Sequence, residues 1–231
     1  MPTNLILGGV LWSVVTLALY WGGKVLHRRH QSWWSSPLLT ASVFLILVLV
    51  TFHVSYGTYA AGTHWLVQLL APATVAFAVP IYEQRALIRR YWPVLTLGAV
   101  VGSAASMGAS WGMASLLGLD HELQMSLLPR SVTTPFAVIV SHQLGGTAEL
   151  TAVFVVITGV LGAAIGEVLS LRLPLKSPVS RGALFGMGAH AVGTAKAHQL
   201  DGEVGALAGV VMIFVGLLNV ALAPVVALLV R

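Results

Sequence analysis

The chain has 231 residues, of which 57% are hydrophobic and only 8% are charged. A soluble domain carries about 25% charged residues because its surface needs polar cover, so this composition excludes a soluble globular fold. The 12 basic residues exceed the 7 acidic ones, but they lie in short clusters between apolar runs. That pattern is typical of loops in a membrane protein and not of a nucleic-acid binder. The chain has no cysteine, which excludes disulfides and thiolate metal sites.

Apolar segments of about 20 residues, the length of a transmembrane helix, recur along the chain. They are 5–25, 37–56, 65–82, 92–117, 150–171 and 204–230. Two other segments, 124–146 (QMSLLPRSVTTPFAVIVSHQLGG) and 181–202 (RGALFGMGAHAVGTAKAHQLDG), are polar at their centres and interrupted by Pro or Gly. We therefore predict an all-α polytopic membrane protein, with about six full spans and two broken or re-entrant segments.

The basic residues predict the topology, because loops on the cytoplasmic side are enriched in Lys and Arg. Nine of the twelve form three clusters, which are Lys24/Arg28/Arg29, Arg85/Arg89/Arg90 and Arg172/Lys176/Arg181. All three clusters lie inside only if segment 124–146 enters and leaves the membrane on the outer side. Segment 181–202 is left open, since it can either cross or turn back.

A short internal similarity aligns ATVAFAV at 73–79 with TTPFAV at 133–138, at an offset of 59 residues. The spans that follow the two stretches run in opposite directions in the predicted topology. Paired Pro- or Gly-interrupted segments in an inverted repeat indicate the binding site of a transporter. Because the match is short and its gaps are uneven, a true inverted repeat and a chance similarity both stay open.

The first candidate site lies in segment 124–146 and contains Arg130, Ser131, Thr133 and Thr134. An arginine within the membrane is costly and usually faces a cavity or a partner. Its guanidinium pairs bidentately with carboxylates, and a half-helix that begins near Ser131 or Thr133 would add free N–H groups. The alternative is an extracellular loop with a Ser/Thr N-cap and an arginine that reaches to the interface.

The second candidate site lies in segment 181–202 and contains His190, Gly193, Thr194 and Lys196. On one α-helix His190 and Thr194 share a face but Lys196 points elsewhere, so the three converge only if the helix breaks, as it could at Gly193. The alternatives are a packed, hydrogen-bonded helix histidine and a lysine that anchors the helix at the interface. No acidic or cysteine ligand stands at helical spacing, so no metal site is predicted.

A third candidate site lies in segment 70–82, where Pro72 and Pro80 flank Thr74. Each proline removes an N–H group and frees a carbonyl of the preceding turn, and such carbonyls can face a substrate. A plain proline kink satisfied by neighbouring helices is the alternative.

At these sites the sequence resembles the LrgB/CidB family of bacterial membrane proteins, which is related to the plant plastidial glycolate/glycerate transporter. The matching stretches are LLAPATVAFAVPIY at 69–82, SLLPRSVTTPFAV at 126–138, GGTAELTAVFVVITGVLGAAIG at 145–166 and RGALFGMGAHAVGTAKA at 181–197. The family usually has Lys at Arg130, which keeps the charge. It commonly has an acid at His142 and another near Gln199, so a role for those carboxylates is in doubt in this chain.

The resemblance implies a single integral membrane domain over 1–231, with N-terminal helices in 1–60 and an LrgB-like transport core in 61–231. It implies either holin-like or antiholin-like control of murein hydrolase activity and lysis, with a small LrgA/CidA-type partner, or transport of small carboxylates. A lytic pore needs no buried Arg, His and Lys beside broken helices, whereas a carboxylate carrier does.

We therefore expect a proton-linked carrier of pyruvate-, glycolate- or glycerate-like monocarboxylates in the bacterial inner membrane. It should be a homo-oligomer, with a dimer favoured, and should have no enzymatic activity, cofactor, metal or nucleic-acid partner. The expected substrate-binding residues are Arg130, Ser131, Thr133, Thr134, His190, Gly193, Thr194, Lys196, Pro72 and Thr74.

Overall fold

The computed structural model describes residues 3–30 and 35–229, and these residues are almost entirely helical. The helices are α1 Thr3–His30, α2 Pro37–Thr51, α3 Tyr56–Gln68, α4 Leu70–Ala76, α5 Ala78–Glu83, α6 Arg85–Leu116, α7 His121–Leu127, α8 Thr134–Leu144, α9 Ala148–Arg172, α10 Pro178–Gly188, α11 His190–Leu200 and α12 Gly202–Leu229. A 3₁₀ turn at Leu128–Ser131 joins α7 to α8. The prediction of an all-α polytopic membrane protein is confirmed.

Among the described residues, four helical stretches are long and apolar enough to cross a membrane, within α1, α6, α9 and α12. The second predicted span forms the shorter apolar helix α2. The third, at 65–82, is divided among α3, α4 and α5, and its break at Phe77 falls between the two prolines. The six predicted spans therefore comprise four long helices, one short one and one interrupted segment.

The chain divides into two compact units, Met1–Ala73 and Thr74–Arg231. This boundary lies further along the chain than the predicted division at residues 60 and 61, and the single membrane domain over the whole chain stays a prediction. In the first unit α1 packs against α2 and α3. The indole Nε1 of Trp65 donates to the Ser13 hydroxyl at 2.8 Å, and a cavity of about 430 Å³ between α1 and α3 is lined by Gly9, Ser13 and Trp65.

In the second unit, residues 121–144 form a re-entrant hairpin of α7, the 3₁₀ turn and α8, here called the first hairpin. Its two legs meet at the start of α9. The hydroxyl of Thr151 lies 2.6 Å from the hydroxyl of Ser141 and 3.2 Å from the carbonyl oxygen of Ser126. The amide of Thr147 also donates to the Ser126 hydroxyl at 2.9 Å. The segment therefore enters and leaves at one end of α9, as the distribution of basic residues predicts.

Residues 178–200 form the second hairpin, made of α10 and α11. Along α10, Phe185 packs on Gly166 of α9 and the turn at Gly188 packs on Gly162. The ring of His190 then packs on Gly159, while Lys196 on α11 pairs with Glu167. Helix α10 therefore runs from the C-terminal end of α9 toward its middle, and α11 runs back. Segment 181–202 turns back and does not cross the membrane.

The two hairpins lie at opposite ends of the long helices. The first hairpin contacts the N-terminal part of α9 and, through Phe136 on Gly216, the C-terminal half of α12. The second hairpin contacts the C-terminal part of α9 and, through Gly182 on Leu207, the N-terminal half of α12. The two hairpins thus come from opposite ends, and each contacts opposite parts of α9 and α12. This is the arrangement of an inverted repeat.

Helix bounds and contacts both give this repeat an offset of 56 residues. Helices α8 and α11 have equal length, and their bounds shift from 134 to 190 and from 144 to 200. The sequence SHQLGG at 141–146 becomes AHQLDG at 197–202. The contact between Ser126 and Thr151 is equivalent to the contact between Gly182 and Leu207, since both positions are shifted by 56.

The predicted offset of 59 differs from this register, because it paired the α4–α5 segment with α8. The rings of Phe77 and Phe136, which that alignment had matched, instead pack on each other with centroids 5.5 Å apart.

Candidate functional site

The tip of the first hairpin is shaped by two prolines. Pro129 has non-helical dihedral angles (φ −83°, ψ 16°) and ends the first leg. Pro135 occupies the first turn of α8, where its missing N–H costs nothing. Between them Thr133 takes the extended N-cap conformation. The tip therefore holds Arg130 and Ser131 in the 3₁₀ turn, Thr133 at the extended N-cap and Thr134 at the start of α8, as expected for a broken element.

The tip of the second hairpin has no proline and breaks at Ala189 and His190. Ala189 has φ −141° and ψ 10°, and His190 has a positive φ of 39°, which is uncommon for a residue with a side chain. The predicted break at Gly193 is wrong, because α11 runs through it without interruption. Gly193 instead packs against the carbonyl oxygen of Phe185, and its lack of a Cβ lets α10 and α11 approach closely.

Both tips reach the same part of α9. Val155 is buried in one apolar cluster with Val132 and Phe136 of the first hairpin, and Met187 of the second hairpin packs against that cluster. The imidazole of His190 lies beside the backbone of Val155 and on Gly159, near the middle of the 25-residue helix α9. The two tips therefore meet at mid-depth in the second unit.

Several amide groups at these tips have no hydrogen-bond partner within the described part of the chain. At the start of α8, Pro135 has no N–H and the next two amides donate to the Thr133 carbonyl, so the amides of Thr133 and Thr134 are free. At the start of α11 the amides of His190, Ala191 and Val192 are free. Two half-helices thus present their positive dipole ends at mid-depth.

Arg130 is a half-buried cation without a counter-charge. Its Nε donates to the hydroxyl of Ser110 on α6 at 2.8 Å. Within the described ranges, the ion pair of Lys196 with Glu167 is the sole salt bridge, so no carboxylate neutralises Arg130. A guanidinium in an apolar protein interior is costly unless an anion compensates it.

One further polar side-chain atom at the tips, on His190, is buried without a partner. His190 is 3% exposed, and its Nε2 has no hydrogen-bond partner among the described residues. Thr133 is also buried, and its hydroxyl does not cap α8. Since buried polar groups are nearly always hydrogen-bonded, His190 and Arg130 are suited to a polar ligand.

The remaining residues predicted for the second site serve other contacts. The hydroxyl of Thr194 faces the sulfur of Met212 at 3.8 Å. The ammonium of Lys196 lies 2.8 Å from the Glu167 carboxylate. Glu167 follows Gly159 by eight residues on α9, which is about 12 Å at 1.5 Å per residue. Lys196 is thus already paired and lies away from the tip that holds His190.

The third predicted site falls on the boundary between the two units and stays a prediction. Pro72 belongs to the first unit, whereas Thr74 begins the second. Pro72 is exposed, and the side chain of Thr74 lies outside the described residues. Within the described ranges no three His, Asp or Glu side chains are grouped so as to hold a metal ion.

Two buried polar contacts of the second unit carry no signal in the sequence. Ser110 belongs to a Gly- and Ser-rich helix and becomes relevant only through its bond to Arg130. Asn219 on α12 donates to the hydroxyl of Ser103 at 2.8 Å. Ser103 and Ser110 are seven residues apart on α6, two helical turns, so one face of α6 supplies polar contacts at two depths.

Opposed re-entrant hairpins, long apolar helices and an unneutralised cation on the first hairpin define a polytopic helical membrane protein built as an inverted repeat. The sequence model of the LrgB-like family matches residues 16–229. The chain belongs to that family.

Curated relatives cover nearly the whole chain. Holin-like protein CidB of Staphylococcus epidermidis is 32% identical over 226 residues, 98% of this chain and 99% of that protein. Holin-like protein CidB of Staphylococcus aureus is 31% identical over 220 residues, 95% and 96% of the two chains. Uncharacterized protein YwbG of Bacillus subtilis is 36% identical over 216 residues, 94% and 96% of the two chains. No solved structure matches the chain.

Proposed function

We propose that this protein is a secondary transporter of small monocarboxylates, of the pyruvate, glycolate or glycerate type, across the bacterial cytoplasmic membrane. One observation carries the proposal. The N-termini of α8 and α11 come from opposite ends toward the middle of α9, and the first hairpin also carries Arg130, which has no carboxylate partner among the described residues. Half-helix N-termini at the midplane are the anion sites of inverted-repeat carriers.

The chemistry of the tips suits a small carboxylate. Arg130 supplies the charge and a planar set of donors. Ser131, Thr133 and Thr134 lie next to it on the same short segment, with free amides at the two threonines. The free amides of α11 add a second set of donors from the other side. An anion bound between the tips would use donors of both sets, whereas a neutral solute would leave Arg130 uncompensated.

His190 is the residue we propose for proton coupling. Histidine is the side chain whose ordinary pKa lies closest to physiological pH. The unpartnered Nε2 of His190 at the tip of the second hairpin could take a proton that accompanies the anion. Lys196 is paired with Glu167 away from this tip, and Thr194 and Gly193 act through helix packing.

Uptake of labelled pyruvate and glycolate into proteoliposomes tests the proposal. Arg130→Ala should abolish the saturable uptake seen with the wild type, and Arg130→Lys should retain part of it because the charge is kept. Arg172→Ala is the matched control, since Arg172 is an exposed arginine at the end of α9. Equal flux through the wild type and Arg130→Ala would show that the mechanism is wrong.

A second candidate is a holin-like channel or regulatory subunit that acts with a small LrgA/CidA-type partner. It is favoured by the names of the staphylococcal relatives, which are called holin-like proteins. Such a channel should release unrelated solutes, including a fluorescent dye, from liposomes, or should be inactive until the small partner is added. A transporter should retain the dye while it takes up carboxylate.

A further inference from the structure

The hydrogen bond between Arg130 and Ser110 restricts how the guanidinium can be oriented. Ser110 is 2% exposed and lies on α6, outside the hairpin that carries Arg130. Its hydroxyl donates its proton to the carbonyl oxygen of Ser106 at 2.8 Å. The hydroxyl can therefore only accept from Arg130, whose Nε lies 2.8 Å away. The chain of bonds runs in one direction, from Arg130 through Ser110 to Ser106.

This arrangement uses one of the five N–H groups of the guanidinium. A carboxylate can bind an arginine either along the edge formed by Nε and one Nη or end-on to both Nη atoms. Because Ser110 occupies Nε, the edge is blocked. The two Nη groups make no hydrogen bond with any residue in the described ranges and remain for a ligand.

We propose that Ser110 is a positioning residue that fixes the guanidinium of Arg130 so that a carboxylate binds end-on to its two Nη groups. The proposal rests on the proposed function and adds the geometry that makes the site selective. A carboxylate has two oxygens in one plane, which match two parallel N–H donors. A halide has one centre and gains from the charge of Arg130 but not from its orientation. Loss of the Ser110 hydroxyl should therefore weaken the binding of carboxylates and leave the binding of halides unchanged.

The test is glycolate uptake into proteoliposomes, with acetate and chloride as competitors. Ser110→Ala should raise KM for glycolate about tenfold, as expected for loss of a hydrogen bond to a charged group, with the maximal rate within about twofold of the wild type. Competition by acetate should weaken to the same extent, and competition by chloride should not change. Ser110→Thr, which keeps the hydroxyl, should restore most of the affinity.

Two further variants control for folding. Ser110→Cys keeps the size of the side chain but is a weak acceptor, so it should behave like Ser110→Ala if the hydrogen bond is what matters. Ser103→Ala removes a buried serine from the same helix, whose partner is Asn219, and should leave the KM for glycolate unchanged.

The outcomes separate this proposal from the proposed function. If glycolate uptake depends on Arg130 but Ser110→Ala keeps the wild-type KM, transport stands and the role of Ser110 is overturned. If Ser110→Ala weakens competition by acetate and by chloride to the same extent, the variant has lost the charge of Arg130 at the site and not the orientation of its guanidinium. The role of Ser110 is then again overturned. If the wild type shows no Arg130-dependent uptake, both proposals fail.

Discussion

His190 shows how tightly a single residue of the site is constrained. It is buried, has a positive φ, and begins a half-helix. Its ring fits only because Gly159 on the facing helix has no side chain. A Cβ added at Gly159 would lie 2.6 Å from the ring Cε1 and 3.0 Å from a methyl group of Val192. Two hairpin residues thus depend on one glycine of α9.

Gly159→Ala should destabilise the protein despite the higher helix propensity of alanine. Overpacking of a filled site costs about 1–3 kcal/mol, which exceeds the gain of about 1 kcal/mol from replacing a helical glycine. Gly98→Ala is the control, since a Cβ at Gly98 of α6 meets nothing within 4 Å. In thermal unfolding in detergent, the Tm of Gly159→Ala should lie below that of the wild type. The Tm of Gly98→Ala should lie at or above it. The reverse order would contradict the packing described for His190.

The sequence predicts the residues at the two tips better than their partners. Arg130 and His190 stand out because charged and titratable side chains are rare within apolar segments. Ser110 does not stand out, since serine is common on α6 and its distance of 2.8 Å to Arg130 depends on the fold. The sequence places Lys196 beside the anion because its pairing with Glu167 is not visible from their separation in sequence.

At the scale of elements, the two hairpins differ in how much the sequence reveals. The first hairpin follows from the positions of the basic residues and from Pro129 and Pro135, which cannot continue a helix. The second has no proline at its tip, and its breaks at Ala189 and His190 depend on tertiary packing against α9. For this reason the sequence left its direction open and placed its break at Gly193.

The ion pair of Lys196 with Glu167 joins the returning leg of the second hairpin to α9. The side chains are 24% and 43% exposed, so the pair itself adds little to stability. Either single substitution, Lys196→Ala or Glu167→Ala, leaves an uncompensated charge near the hairpin and should lower carboxylate uptake. The double variant restores local neutrality and should transport better than Lys196→Ala.

The alternative for Lys196 predicts a different double-variant result. If Lys196 binds the carboxylate directly, its loss remains equally costly whether or not Glu167 is present. The comparison needs initial rates of glycolate uptake for the wild type, the two single variants and the double variant at matched protein content. A double variant no better than Lys196→Ala would assign Lys196 to the anion site, as the sequence predicted.

At the scale of the whole molecule, the repeat at an offset of 56 organises the second unit. It relates α8 to α11 and the start of α9 to the start of α12. The similarity at 141–146 and 197–202 is short, and several buried apolar positions have polar or charged equivalents, as Val140 has Lys196 and Ala163 has Asn219. The repeat is therefore preserved in helix bounds and contacts more than in sequence, which explains why the sequence suggested a different register.

The two tips of this repeat differ in their polar side chains. Position 130 corresponds to 186, so Arg130 is matched by Gly186, which packs against the backbone of Ala208. Position 134 corresponds to 190, so Thr134 is matched by His190. The tip of one hairpin thus carries a cation and the tip of the other a titratable group. Such a division suits a site in which each hairpin contributes a different function to one ligand.

The inverted repeat predicts that equivalent residues are reached from opposite sides of the membrane. Gln143 and Gln199 are equivalent at the offset of 56 and both are exposed near the open ends of their hairpins. Because the chain has no cysteine, Gln143→Cys and Gln199→Cys each introduce a unique thiol. A membrane-impermeant maleimide should label the first in right-side-out vesicles and the second only in inside-out vesicles, since Lys176 and its basic neighbours mark the cytoplasmic side.

Two flanking positions provide controls for the same experiment. His121→Cys lies at the start of the first hairpin and should label from the same side as Gln143→Cys, whereas Lys176→Cys should label from the same side as Gln199→Cys. Labelling of His121→Cys and Gln143→Cys from opposite sides would mean that the first hairpin crosses the membrane. Labelling of Gln143→Cys and Gln199→Cys from one side would exclude the inverted repeat, and with it the meeting of two half-helix N-termini on which the proposed anion site depends.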